Sequence, residues 1–233
     1  WADLGYSERS WSQNTVNFSL SNDYTASQKD GLRMALDLWS DVADIEFNEV
    51  LGDADLSFVV GTDGSAFSSS YTSGTAITSS TISIDTSIES WANFSDLGNY
   101  ALMTALHEIG HSLGLGHSGN YNGTATYSND AQWTNDTQQM TVMSYFSDQN
   151  VGSDHWDSSN AWQYSATPML IDILAIQNIY GANYTTRNGN TTYGFNSNAG
   201  HDQFDFSVSE VPIAIWDGGG NDTIDASGYT TNQ

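Results

Sequence analysis

Val16, Phe18 and Leu20 alternate with polar neighbours, the period of a strand with one buried face, and Asn22 and Asp23 end the run. The period then lengthens. From Thr25 to Ala43, the residues Leu32, Ala35, Leu36, Trp39, Val42 and Ala43 recur at helical spacing. Thr25 is the expected N-cap, with Gln28 three residues on completing a capping box. Ile45 and Phe47, then Leu56, Phe58 and Val60, return to alternation. Residues 61–80, rich in Ser, Thr and Gly, predict a long surface loop, and Thr81 to Asp85 a short strand with Ile82 and Ile84 on one face. Asn99 to Gly114 predicts a second helix, apolar along Leu102, Ala105, Leu106, Ile109 and Leu113. A third is expected to be capped by Thr167, with Pro168 at its first position, Asp172 in its early turns and Gly181 ending it.

Residues 1–15 carry no period and read as a lead-in segment. Strands that flank a helix, followed by long helices, imply an α+β fold with a mixed, twisted sheet. Past Asn183 the chain changes to short strands and Gly/Asn/Asp turns. That change divides it into an expected first domain, residues 1–185, and a β-rich region, residues 186–233.

Composition narrows the setting. The chain of 233 residues has 28 acidic against 4 basic side chains, a formal charge of −24. Such a polyanion excludes nucleic acid and anionic membranes as partners, and like charge favours a monomer. The acidic excess serves solubility, and some Asp residues also suit Ca2+. There is no Cys, so stability must come from the core or from bound metals. No run of about 18 apolar residues exists to span a membrane. The first residue is Trp1 rather than Met, so an upstream segment is expected to have been removed.

His107 to His117 reads H-E-I-G-H-S-L-G-L-G-H. His107 and His111, four apart on a helix, project from one face, as two ligands of a tetrahedral Zn2+ must. Glu108, beside them but not a ligand, can accept a proton from a water on the metal. Gly114 lets the chain leave the helix and turn back to present His117 as third ligand. Three protein ligands leave a position for water and substrate, the mark of a catalytic site. An H-E-x-x-H alone arises by chance on amphipathic helices. Gly114 and His117 at fixed offsets argue against accident, as do three of the chain's five His within eleven residues. Met143-Ser144-Tyr145 follows downstream, and the two features together match the extended zinc signature and Met-turn of metzincins. Met143 is then a hydrophobic floor beneath the metal, and the Tyr145 phenol a group able to reach the zinc or the tetrahedral intermediate.

The resemblance extends further. T-A-L-H-E-I-G-H-S-L-G-L-G-H, T-V-M-S-Y-F, D-I-L-A-I-Q-N-I-Y-G-A-N, T-T-Y-G-F-N-S-N and W-D-G-G-G-N-D-T-I-D-A-S-G-Y occur in the order of the serralysin family, which this chain resembles over most of residues 24–233. Serralysins are secreted bacterial zinc endopeptidases. The Tyr after the Met-turn separates them from matrixins, and the lack of Cys separates this chain from astacins. One departure stands out: Ser118 follows the third His, where serralysins usually have Pro and matrixins Ser.

The resemblance implies a metzincin-like catalytic domain followed by the start of a calcium-binding β-roll or β-sandwich region. It implies one catalytic Zn2+ on His107, His111 and His117, with Glu108 and Tyr145 catalytic and Tyr145 an extra zinc ligand at rest. It implies secretion, protein or peptide substrates over a broad range, and a proteinaceous protease inhibitor as a further partner. The turn at Asp217 to Asp222 resembles one Gly-Asp calcium repeat. By resemblance, Arg187, Gly189, Thr191, Asp217, Gly219 and Asp222 form one structural Ca2+ site. Gly220 and Asp222 begin a second, whose other ligands lie beyond Gln233. Serralysins continue into more repeats, so the chain is expected to be trimmed, truncated or naturally short. Two other functions compete: a zinc hydrolase acting on another amide, and a calcium-dependent structural or adhesive module with a non-catalytic zinc site. Glu108 speaks against the module, because a structural zinc site needs no base. His155 and His201, isolated among polar residues, read as surface histidines.

Overall fold

The computed structural model describes residues 9–230; the first eight residues of the lead-in segment and the last three of the chain lie outside it. The core is one mixed sheet with helices packed against it. β1 is Ser10–Trp11, β2 Thr15–Leu20, β3 Glu46–Glu49, β4 Leu56–Val60, β5 Ala66–Ser73 and β6 Ala76–Ile84. β2 pairs in parallel with both β3 and β4, and β6 in parallel with β4 and with β1. β5 runs antiparallel to β6 along its whole length. Since β1 and β4 occupy the other side of β6, β5 is the outer strand.

The helices are α1 Ala26–Val42, α2 Tyr100–Ser112, a single turn α3 Tyr127–Asp130, and α4 Leu170–Tyr180. The capping box expected at α1 is present: Thr25 Oγ1 accepts from Gln28 N–H, and Gln28 Oε1 accepts from Thr25 N–H. Leu32, Ala35, Leu36, Trp39 and Val42 are buried as their spacing requires. Trp39, fully buried, donates its indole N–H to the Leu106 carbonyl of α2 at 3.1 Å and so locks the two helices together.

Three expectations need correction. Residues 61–80 are not a loop: β5 and most of β6 lie there, joined at Gly74. Their Ser-rich faces carry no apolar alternation, because β5 is an outer strand whose partners are hydroxyls; Ser68 and Ser70 both meet Ser80 Oγ. Next, Thr167 does not cap α4. Its hydroxyl is taken by the backbone of Ala214, and Met169 is the N-cap, its N–H held by Asp172 at 2.8 Å. Pro168 therefore precedes the helix. Finally, His155 and His201 are not isolated: His155 stands 3.6 Å from the buried Asp148, and His201 3.3 Å from Asp41.

Beyond α4 the chain forms two short parallel strands, β7 Thr192–Gly194 and β8 Thr223–Asp225. Tyr193, Ala199 and Phe204 make a small apolar cluster there, separate from the main core. No helix among the described residues is long and apolar enough to cross a membrane.

Candidate metal centre

α2 is buried almost throughout, and that burial fixes the histidines on it. Asn99 caps its start through Ala101 N–H. Its end is a Schellman turn: Gly114 has φ 99°, its N–H reaches the His111 carbonyl, and Leu115 N–H reaches the Gly110 carbonyl at 2.9 Å. Trp11 donates its indole N–H to Ser112 O, and Tyr180 OH donates to Leu113 O. The last carbonyls of the helix are thus satisfied from distant parts of the chain. The turn then swings His117 back toward His107 and His111.

The three imidazoles share one arrangement. Nδ1 of His107 lies 2.8 Å from Val142 O, that of His111 2.8 Å from Leu115 O, and that of His117 2.8 Å from Tyr121 O. A carbonyl only accepts, so each Nδ1 carries the proton and each Nε2 presents a lone pair. Nε2 of His111 and of His117 are 3.1 Å apart. Two lone pairs facing each other at that distance repel unless a cation lies between them. Burial lowers the pKa of all three rings, His111 to about 4, so none supplies that cation by protonation near neutrality. A divalent metal fits this donor set, and among the described residues this trio is the one group of three or more His, Cys, Asp or Glu ligands close enough to share an ion.

Glu108 lines the same space. Burial raises its pKa to about 7, with the backbone N–H of Ser68 on β5 acting against that rise. Its Oε2 has no hydrogen-bond partner, and a buried carboxylate oxygen without one is costly unless it has chemistry to do. Two cavities of about 420 and 430 Å³ meet at His107, Glu108 and Tyr145 and form one cleft. The Tyr145 ring lines both cavities, its centroid 4.5 Å from that of His117 and 5.9 Å from that of His107. β5 forms the other side. Asp85 N–H bonds Ser65 O, so in this antiparallel register residues 67 and 69 bond β6 while the backbone groups of Ala66, Ser68 and Ser70 point away from it, toward the cleft.

Met143 lies beneath α2. A Cβ on Gly110 would come 2.6 Å from its sulfur, so the absence of a side chain at 110 is what admits it. Other residues that hold the site escaped the sequence reading. Asp172 is buried and accepts from Thr141 Oγ1, Val142 N–H and Met169 N–H. It joins the start of α4 to the peptide whose carbonyl orients His107. Asp136 is also buried and accepts from the hydroxyls of Ser118 and Tyr121, and the Tyr121 carbonyl orients His117. Ser118 thus has a partner in place. The bond from Met169 N–H to Asp172 is local to the start of α4, but the contacts that tie these carboxylates to the site are not: Ser118 and Tyr121 lie 18 and 15 residues from Asp136, and Thr141 and Val142 31 and 30 from Asp172, so no local pattern marks them.

The stretches proposed for Ca2+ come together too. Thr191 Oγ1 is 3.4 Å from Arg187 O and 3.3 Å from Gly189 O. Asp222 accepts from Thr191 N–H, and Asp217 from Gly219 N–H and Tyr193 OH. Gly219 and Gly220 face the carbonyls of Asn188 and Gly189.

Comparison with known proteins follows the same lines. Residues 10–128 match the family profile described as Matrixin, and residues 182–233 that described as Peptidase M10 serralysin C terminal. The chain is 40% identical over 246 residues to the metallopeptidase AprA of Pseudomonas marginalis, covering 99% of this chain and 51% of that protein. It is 37% identical over 260 residues to the serralysin of Proteus mirabilis, covering 100% and 51%, and 38% identical over 230 residues to a serralysin C of Dickeya chrysanthemi, covering 90% and 45%. It spans about half the length of these relatives. The chain belongs to the serralysin family of M10 metallopeptidases.

Proposed function

We propose that this chain is a zinc endopeptidase that hydrolyses peptide bonds in proteins, with His107, His111 and His117 holding the metal and Glu108 as general base. The observation that carries the reading is the convergence of three Nε2 lone pairs beside the unpartnered Glu108 Oε2 in an open cleft. When bound, zinc supplies a Lewis acid that acidifies water and polarises a peptide carbonyl. Glu108 takes the proton that the attacking water loses and passes it to the leaving amine nitrogen. Tyr145, which lines the same cleft, donates its phenol hydrogen to the carbonyl oxygen as charge gathers there. A substrate lying antiparallel along β5 would pair with the backbone of Ala66 and Ser70 and with the Ser68 carbonyl, the Ser68 N–H being turned to Glu108.

The test is hydrolysis of a quenched-fluorescent peptide by the wild type and by Glu108→Ala, each with zinc content measured. A mutant that keeps its zinc and loses activity by several orders of magnitude is expected. A zinc-bound wild type that cleaves neither peptide nor casein sinks the proposal.

The remaining assignments are part of the same reading. Structural Ca2+ would be held by the carbonyls of Arg187 and Gly189 with Thr191, Gly219, Gly220, Asp217 and Asp222, in a β-rich region from about residue 186. Family membership supports secretion, a broad substrate range and a proteinaceous inhibitor, and the charge of −24 supports a monomer.

A further inference from the structure

The cleft continues past the metal centre. The cavity that holds Glu108 shares Tyr100, Gln138 and Tyr145 with a neighbouring open cavity of about 540 Å³. Among the described residues no charged side chain lines this second space; Trp156, Trp162 and Tyr164 do, together with the shared residues, Ser147 and Gln149. Trp156 and Trp162 face each other across an isolated antiparallel bridge, with ring centroids 5.4 Å apart and planes at 84°. The turn between them is braced. Asp157 accepts from the N–H groups of Ser159 and Ala161 and from Gln163 Nε2, and Gln163 N–H bonds His155 O. Tyr164 N–H bonds Gly98 O, and the Tyr164 ring lies 5.1 Å from that of Tyr100 at the start of α2. Trp156 remains 46% exposed. Fixed aromatic rings with an open face beside a cleft are costly to leave wet and suit an apolar ligand.

The direction of the cleft decides which part of a substrate reaches them. A peptide antiparallel to β5 runs from the Ser70 end toward the Ala66 end. Ser68 and Ser70 line only the cavity on one side of Glu108, Ala66 lines both, and the one that leads on to the tryptophans continues from Ala66 to Trp91 and Tyr100. The residues after the scissile bond therefore travel toward Trp156. In an extended chain alternate side chains face the same way, and two residues advance the chain about 7 Å. Hence the third residue after the bond returns to the wall that takes the first.

We propose that Tyr100, Trp156, Trp162 and Tyr164 form an aromatic shelf that selects a large apolar side chain in the leaving-group half of the substrate, beyond the first residue after the scissile bond. This rests on the peptidase reading and adds a specificity determinant to it.

The test walks a single Phe through three positions on each side of the cleaved bond in an otherwise Ser/Ala/Gly peptide. The zinc-loaded wild type is compared with Trp156→Ala and Trp156→Phe. Phe at the third position after the bond should raise kcat/KM about three- to tenfold over Ser there, mainly through KM, as one added aromatic contact allows. Trp156→Ala should bring that ratio to within about twofold of unity, and Trp156→Phe should keep most of it. Each ratio compares two substrates on one enzyme, so a general loss of stability does not imitate the effect. A preference on the acyl side instead, no preference, or one unchanged in Trp156→Ala overturns the inference while the peptidase reading stands. Failure of the wild type to cleave any of the peptides removes both.

Discussion

Gly110 lies between the two helical ligands and carries no side chain because Met143 fills the place. An added Cβ would stand 2.6 Å from the Met143 sulfur and 3.2 Å from Trp39 Cζ2. Helix propensity alone would favour Gly110→Ala by about 1 kcal/mol. Overpacking costs about 1–3 kcal/mol, and with a fully buried Trp behind it the clash should win. We expect a lower Tm for Gly110→Ala, and a smaller loss when Met143→Ala is added than the two single losses summed; strict additivity would mean the contact is not the cause. Asp136 sits one step further out. Without it the Ser118 and Tyr121 hydroxyls lose their shared acceptor, and the Tyr121 carbonyl that orients His117 loses its anchor. Asp136→Ala should weaken zinc binding about 10- to 100-fold, read by competition with a chromophoric chelator. A lower Tm with unchanged zinc affinity would reduce Asp136 to a packing role.

Among the elements, those legible in the sequence were the ones whose information is local. α1 announces itself by period and by the Thr25–Gln28 box, and the ligands on α2 by their spacing. The end of β6 was legible through Ile82 and Ile84, but β5 and the first half of β6 were not, because an outer strand satisfied by hydroxyls has no reason to alternate apolar residues. The α4 cap was misread for a related cause: Thr167 is a good local candidate, but Ala214, 47 residues on, claims its hydroxyl. β5 also gives the sharpest test of how substrate is held. Ser69 bonds β6 through its backbone, whereas Ser70 N–H points toward the cleft. Proline removes that N–H in either place. Ser69→Pro should cost stability. Ser70→Pro should leave Tm closer to the wild type and raise KM about tenfold, the worth of one or two lost hydrogen bonds, with kcat changed less. Equal KM values for Ser70→Pro and the wild type would mean that substrate does not pair with this strand.

At the scale of the whole molecule, Arg187 joins the two regions. Its guanidinium pairs with Asp41 of α1 at 2.5 Å, donates to the Trp216 carbonyl and lies 4.8 Å from the Phe204 ring centroid. Burial opposes ionisation of Asp41, but hydrogen bonds from His201 and Arg187 outweigh it and hold its pKa below the usual value. Arg187 O faces the Thr191 hydroxyl in the loop proposed to hold Ca2+, so an ion there would tighten a joint that reaches back to the helix packed on α2. With no Cys in the chain, such an ion would stand in for a covalent brace. Calcium at 100 times its Kd stabilises the state that binds it by about 2.7 kcal/mol, which for a chain of this size raises Tm by about 5–10 °C. The wild type should show that rise, and Asp222→Ala should lose it. The variant's starting Tm will be lower because Thr191 N–H loses its acceptor, so the calcium-dependent increment is the quantity to compare. Zinc content and peptide hydrolysis at 20 °C should persist in Asp222→Ala, since neither His117 nor Glu108 depends on that turn. A wild type whose Tm ignores calcium, or a variant that responds as fully as the wild type, would remove the ion from residues 187–222 and leave the joint to Arg187 and the direct contacts beside it, His201 with Asp41 and Thr167 with Ala214.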